Sequence, residues 1–175
     1  MLGHFGFSYI GLIYMLLIEI PNIIWARHKP KGYDPSGENR VLLIFERAGQ
    51  VLCTAAILFF GDYNPRGLTP WTAWLLASAA LMVLYEIYWI RYFRSGRTVN
   101  DFYRGLFGIP APGAALPVAA FLLLGIYGKV IWLIVSSVIL GIGHIGIHLE
   151  HIKHIREIAG GARFAEKTEG RNQTK

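Results

Sequence analysis

Five long apolar runs, separated by short polar connections, decide what this chain can fold into. They cover roughly Phe5 to Ala26, Val41 to Gly61, Pro70 to Ile90, Leu106 to Tyr127 and Val130 to His151. A helix needs about 20 apolar residues to cross a hydrocarbon core of about 30 Å, and each run is long enough. Inside a bilayer the backbone must satisfy its own hydrogen bonds, so runs of this kind are helices. The expected fold is therefore all-α, a polytopic membrane helix bundle with about five transmembrane helices. Composition agrees, with 54% of residues hydrophobic and 16% charged, against about 25% charged in a typical soluble domain.

The fourth run is the least regular. Pro110, Pro112 and Pro117 each lack a backbone donor, so its helix is expected to begin after Pro112 or to kink near Pro117, with a broken or re-entrant segment as the alternative. Residues 1–155 read as the bundle and residues 156–175 as a polar, non-periodic and disordered tail. Met1 to Ile18 contains no Lys or Arg, and Trp25-Ala26-Arg27 offers no small-residue cleavage site, so the first run reads as an uncleaved span. No internal repeat of the kind that builds inverted-repeat transporters is visible.

Basic residues near span ends are retained in the cytoplasm. Arg27, Lys29, Lys31 and Arg40 flank the first connection, Arg91, Arg94, Arg97 and Arg104 fill the third, and Lys153, Arg156, Arg163, Lys167, Arg171 and Lys175 follow the last run. Only Arg66 and Lys129 lie in the second and fourth connections. The expected topology thus has the N-terminus outside and the C-terminus cytoplasmic, in a multi-pass protein of the cell membrane, with a bacterial cytoplasmic membrane as the expected host. Aromatic belts at Trp25, Phe59 to Tyr63, Trp71 and Trp74, Tyr88 to Phe93, and Tyr127 with Trp132 match the interfaces. The net charge of +6 is spread in blocks between apolar runs, which points to lipid headgroups as partners and not to nucleic acid. The single Cys53 excludes an internal disulfide and a cysteine metal cluster.

An ionised side chain at a helix centre costs about 2.5–3.5 kcal/mol, so each one inside a run needs a reason. Glu19, Glu46, Glu86 and His148 lie roughly 7–11 Å inside the basic boundary, at similar depth on four different helices. Convergence of these groups on one cavity open to the cytoplasm is the expectation, with an outer half that is apolar and sealed. The last run carries the sharpest pattern: His144, His148 and His151, spaced by four and three, share one helical face, and His154 projects off it. Neutral imidazoles on such a stripe are candidate ligands for a divalent transition metal, although histidines near a helix end also pair with carboxylates or lipid phosphates. HExxH is absent, since Glu150 follows His148 by two, and so are nucleotide-binding glycine fingerprints and GxSxG.

Glu46, Glu86 and His144 are the candidate catalytic groups. Glu46 could face the histidines as ligand or general base, and Arg47 and Gln50 beside it could hold an anionic group; a plain interfacial ion pair of Glu46 with Arg47 is the alternative. Glu86 sits among Tyr85, Tyr88 and Trp89, a setting that raises a carboxyl pKa or boxes a cation. Glu19, followed by Pro21 and Asn22, is a further lining candidate or a mere kink, and Arg97, Asn100 and Arg104 could form a lid over the cavity or simply a retained loop. The substrate-binding set is therefore Glu19, Arg47, Gln50, Tyr85, Trp89, Arg97 and Arg104, with His144, His148 and His151 as the metal set. Three functions compete. The first is binding of a small polar molecule or metal ion, with possible transport and homo-oligomerisation. The second is an enzyme acting on a lipid or isoprenoid headgroup, and the third an assembly subunit whose polar residues only pair with one another.

Overall fold

A computed structural model describes residues 2–172, with side chains described through Ile158. Among them the chain is helical, with isolated bridges but no strand. The helices are α1 (Tyr9–Arg27), α2 (Arg40–Phe59), α3 (Ala73–Arg94), the single turn α4 (Val99–Phe102), α5 (Pro112–Gly128) and α6 (Ile131–Asn172). Four stretches are long and apolar enough to cross a membrane, namely Tyr9–Arg27, Arg40–Phe59, Pro70–Arg94 and Ile131–Ile158. By length and composition they are candidate membrane-spanning helices. The fifth apolar helix, α5, has 17 residues, about 26 Å at the α-helical rise, and no charged residue.

One boundary differs from the sequence expectation, and a second falls where the prolines placed it. The first apolar run starts as extended chain, because Ser8 and Asn64 cap the helix behind it. Ser8 Oγ accepts from Gly11 N at 2.8 Å, and Asn64 Oδ1 accepts from Tyr9 N at 3.1 Å. The preceding segment lies against the end of α2, with Gly6 N donating to Phe59 O and Ser8 N to Leu58 O, both at 3.0 Å. In the fourth run the helix begins only at Pro112, after a turn in which Leu106 and Ile109 pair and Ala111 takes a left-handed φ of 47°. Pro117 stays inside α5. The backbone of α6 is helical through Asn172, and the tail expected to be disordered falls largely among residues whose side chains lie outside the described set.

The His4 clasp at this end carries a pH signature. His4 donates its backbone N–H (2.6 Å) and its ring Nδ1 (2.8 Å) to the Asp62 carboxylate. Partial burial pushes the Asp62 carboxyl up, but the His4 hydrogen bonds outweigh it and hold it below the usual range. A carboxyl lowered in the fold stabilises above its unfolded value and loses that contribution as pH falls through the folded one. Exchange protection at Gly6 and Ser8 is therefore expected to persist down to about pH 4 and to fall below it. Asp62→Asn should remove that acid-dependent step.

The five long helices form a ring in the order α1, α2, α6, α5, α3, back to α1. The tightest seam joins α2 and α6. A Cβ at Gly143 would overlap the Glu46 and Leu42 backbone, and one at Gly49 would overlap Leu140, so these two helices cross backbone to backbone. That approach brings Glu46 against His144. On the other side, α3 turns Tyr85, Tyr88, Trp89 and Tyr92 inward, and α4 inserts Phe102 among them. Tyr88 Oη donates to Phe102 O at 2.7 Å, while the Arg91 guanidinium donates to the carbonyls of Arg104 (2.7 Å) and Gly105 (2.8 Å), so α3 ties down the third connection.

A candidate ligand site at the basic end of the ring

All five long helices and two connections contribute to one polar hollow. It has a mouth of about 300 Å³, reaching from Tyr33 and Glu38 to His148 and His151, and a deeper cleft of about 500 Å³ between α1 and α2, floored by α5 and α6. Asn22, Trp25, Lys29, Arg47, Gln50 and His144 line both parts. Sizes of about 300–1,000 Å³ are those of small-molecule sites. The opposite half of the ring is filled by side chains that are fully buried, among them Ile57, Tyr63, Leu124, Val130 and Leu133.

Two histidine–carboxylate pairs frame the mouth. His144 Nδ1 donates to Glu46 Oε1 at 2.5 Å across the α2–α6 seam. That bond fixes the ring and leaves Nε2 for another partner. His151 Nε2 donates to Glu38 Oε1 at 3.0 Å, joining α6 to the 28–39 connection. The His151 ring also stacks against Tyr33 and Tyr103, with centroids 5.6 Å away on each. His148 stands between the pairs, 4.8 Å from His144 by ring centroids and 5.6 Å from Tyr103. All four carboxylate and imidazole groups of the pairs are at most a quarter exposed.

The 28–39 connection folds over the mouth through local turns. Gly32 adopts a φ of +85°, which glycine tolerates and a side chain resists. Tyr33 N donates to Pro30 O (3.1 Å), Ser36 N to Asp34 Oδ1 (2.8 Å) and Glu38 N to Pro35 O (3.2 Å). These turns deliver Tyr33 and Glu38 to the site. Lys29 follows the same path, with its ammonium 5.7 Å from the Trp25 ring centroid and 5.9 Å from that of Tyr33. Burial, then the Glu38 and Glu46 charges, push the Tyr33 phenol up to about 12. Burial likewise raises Tyr103, with Tyr33 and Glu38 adding to it. Both phenols are thus neutral hydrogen-bond donors near neutral pH. On the floor, Pro117 has no N–H to offer the Gly113 carbonyl one turn earlier, and Gly113 lines both parts of the hollow.

Of the residues expected at the site, the structure brings together Glu46, Arg47, Gln50, Trp89, His144, His148 and His151 at the mouth, and Glu19 and Tyr85 in the deeper cleft. Glu86, Arg97 and Arg104 border neither part. Glu86 follows Tyr85 by one residue, a rotation of about 100° around α3, and one of its oxygens is buried without a partner. Arg97 and Arg104 are exposed, on a connection that Arg91 holds by the carbonyls of Arg104 and Gly105. The three histidines share a stripe and a pocket, yet among the described residues no group of three His, Cys, Asp or Glu stands close enough to hold a metal ion. Two of the rings are instead taken by separate carboxylates. Glu38, Tyr33, Tyr103, Phe102, Lys29 and Asn22 escaped the sequence reading. Only Pro30, Gly32 and Pro35 signalled a folded connection there, and nothing in them shows which wall it meets.

No family model, curated protein or solved structure matches this chain.

Proposed function

We propose that this is a five-span membrane protein, N-terminus outside and C-terminus in the cytoplasm, that binds a small acidic ligand in the hollow at its cytoplasmic end. The observation that carries this reading is the meeting of two histidine–carboxylate pairs, from three separate chain segments, in one hollow with Arg47 and Lys29. Each carboxylate of the pairs is already hydrogen-bonded by a histidine, which leaves Arg47 and Lys29 as the groups to contact an anion. Topology follows from the basic residues, which cluster at the end where the hollow opens, and from α5 serving as a short fifth span. The filled opposite half of the ring favours a binding or reaction site over a continuous passage. His144, held by Glu46, presents Nε2 as an acceptor, so general-base chemistry on a bound headgroup is the second reading, supported by that geometry. A purely scaffolding role requires no ligand and predicts none.

Thermal denaturation in detergent tests the proposal, with small phosphates and carboxylates as probes. A ligand at about 100 times its Kd stabilises by about 2.7 kcal/mol. That stabilisation is expected for at least one probe in the wild-type protein and is expected to vanish in Arg47→Ala and His144→Ala. Stabilisation that survives in both variants places the ligand elsewhere, and a silent panel counts against a ligand site.

A further inference from the structure

On a helix exposed to hydrocarbon, polar side chains at mid-span positions are expensive. Away from the terminal turns, and up to Leu149 on α6, the exposed positions of the described long helices are apolar or small, with three polar exceptions: Glu19, Arg47 and Gln50. All three border the deeper cleft between α1 and α2. The cleft also has a graded wall. Lys29, Arg47 and Gln50 stand at its basic end, while Met15, Ile18, Phe121 and Leu140 line it farther in.

Its shape follows from how α1 meets its neighbours. Near one end α1 touches α2 closely, where a Cβ at Gly11 would overlap the Ile57 carbonyl. Along its remaining length α1 is tied to α3 instead: Tyr14 Oη and Ser78 Oγ are 3.0 Å apart, and Asn22 donates to Tyr85 Oη at 2.8 Å. Between Met15–Ala26 and Arg47–Thr54 the two helices leave an opening on the side of the ring. Arg47 lies seven residues into α2, about 10 Å along the helix, a depth suited to a lipid headgroup at the membrane boundary.

We infer that the α1–α2 cleft admits a phosphate-bearing lipid sideways from the membrane, its phosphate held by Arg47, Lys29 and Gln50 and its chain laid against the apolar inner wall. The inference rests on the ligand-binding reading above and names the class of ligand. An acidic headgroup matches Arg47 and Lys29, which outnumber Glu19, the carboxylate that lines the cleft, while Glu46 is engaged by His144. The cleft has apolar wall where a headgroup alone needs none.

Native mass spectrometry of the full chain in detergent tests this, with three probes: phosphatidic acid, diacylglycerol with the same chains, and inorganic phosphate. Phosphatidic acid should bind at least about tenfold more tightly than diacylglycerol, the difference expected for a charge-assisted contact, and Arg47→Ala should remove that preference. Thr54→Trp, which fills the cleft, should weaken phosphatidic acid and leave inorganic phosphate unchanged. Ile18→Trp, on the apolar wall and away from the phosphate-holding residues, serves the same purpose if Thr54→Trp fails to fold. Equal binding of phosphatidic acid and diacylglycerol overturns the inference. Inorganic phosphate binding as tightly as the lipid, with neither changed by the tryptophan, overturns lateral lipid access but supports the anion pocket. Absence of binding by both phosphate probes overturns the lipid inference and removes phosphate from the candidate ligands of the pocket.

Discussion

Gly143→Val is expected to be strongly damaging to the helix ring. The added Cβ would meet the Glu46 and Leu42 backbone, and backbone cannot rotate away as a side chain can. Overpacking a tight contact costs about 1–3 kcal/mol, and more when the neighbours cannot yield. The upper end of that range applies here, because the seam between α2 and α6 must open along its length. Gly146→Ala is the matched control. Its Cβ would meet only the flexible end of Leu42, at 3.1 Å, and alanine favours the helix by about 1 kcal/mol. Thermal melting in detergent should therefore show a large loss for Gly143→Val and little change for Gly146→Ala. Equal melting of Gly143→Val and wild type would mean that the seam is not the close contact described.

The second large effect concerns the pair that this seam creates. Glu46 and His144 are 14% and 25% exposed, so removing either one leaves the other poorly solvated without its partner. Glu46→Ala and His144→Ala are each expected to destabilise by about 1–3 kcal/mol. The double variant should lose less than the sum, with a coupling energy of about 0.5–3 kcal/mol. Strict additivity would show that the hydrogen bond contributes nothing to the fold. The same variants separate structure from binding. His144→Ala retains Arg47 and Lys29 but frees the Glu46 carboxylate, which then competes with an anion for those cations, so loss of the ligand is the expected outcome there too.

Position along each helix was legible in the residues, and direction around each helix was legible only in part. Spacings of four and three place His144, His148 and His151 on one stripe, and the structure shows them lining one mouth. Glu46, Arg47 and Gln50 reach the same hollow, where the sequence had left an interfacial ion pair as an equal alternative. Glu86 illustrates the failure. Its depth matches that of Glu46, but a single residue step from Tyr85 turns it off the lined face, and packing against α5 decides which side of α3 turns inward. The metal expectation finds no support among the described residues, for a related reason: ring spacing along one helix is local, while the carboxylates that pair with two of the rings come from positions 98 and 113 residues away.

By itself the sequence determined the helical class, the approximate places of the apolar helices, the basic end, and the histidine stripe. These follow from local causes, since apolar length and backbone hydrogen bonding in a bilayer leave few alternatives to a helix. Only the tertiary structure decided the ring order, the pairing of each histidine with its carboxylate, and the opening between α1 and α2. Those depend on where glycines let backbones touch, on tyrosine hydrogen bonds between α1 and α3, and on a connection whose turns carry Glu38 back over the site. Each is a contact between residues far apart in the chain, so no local pattern records it.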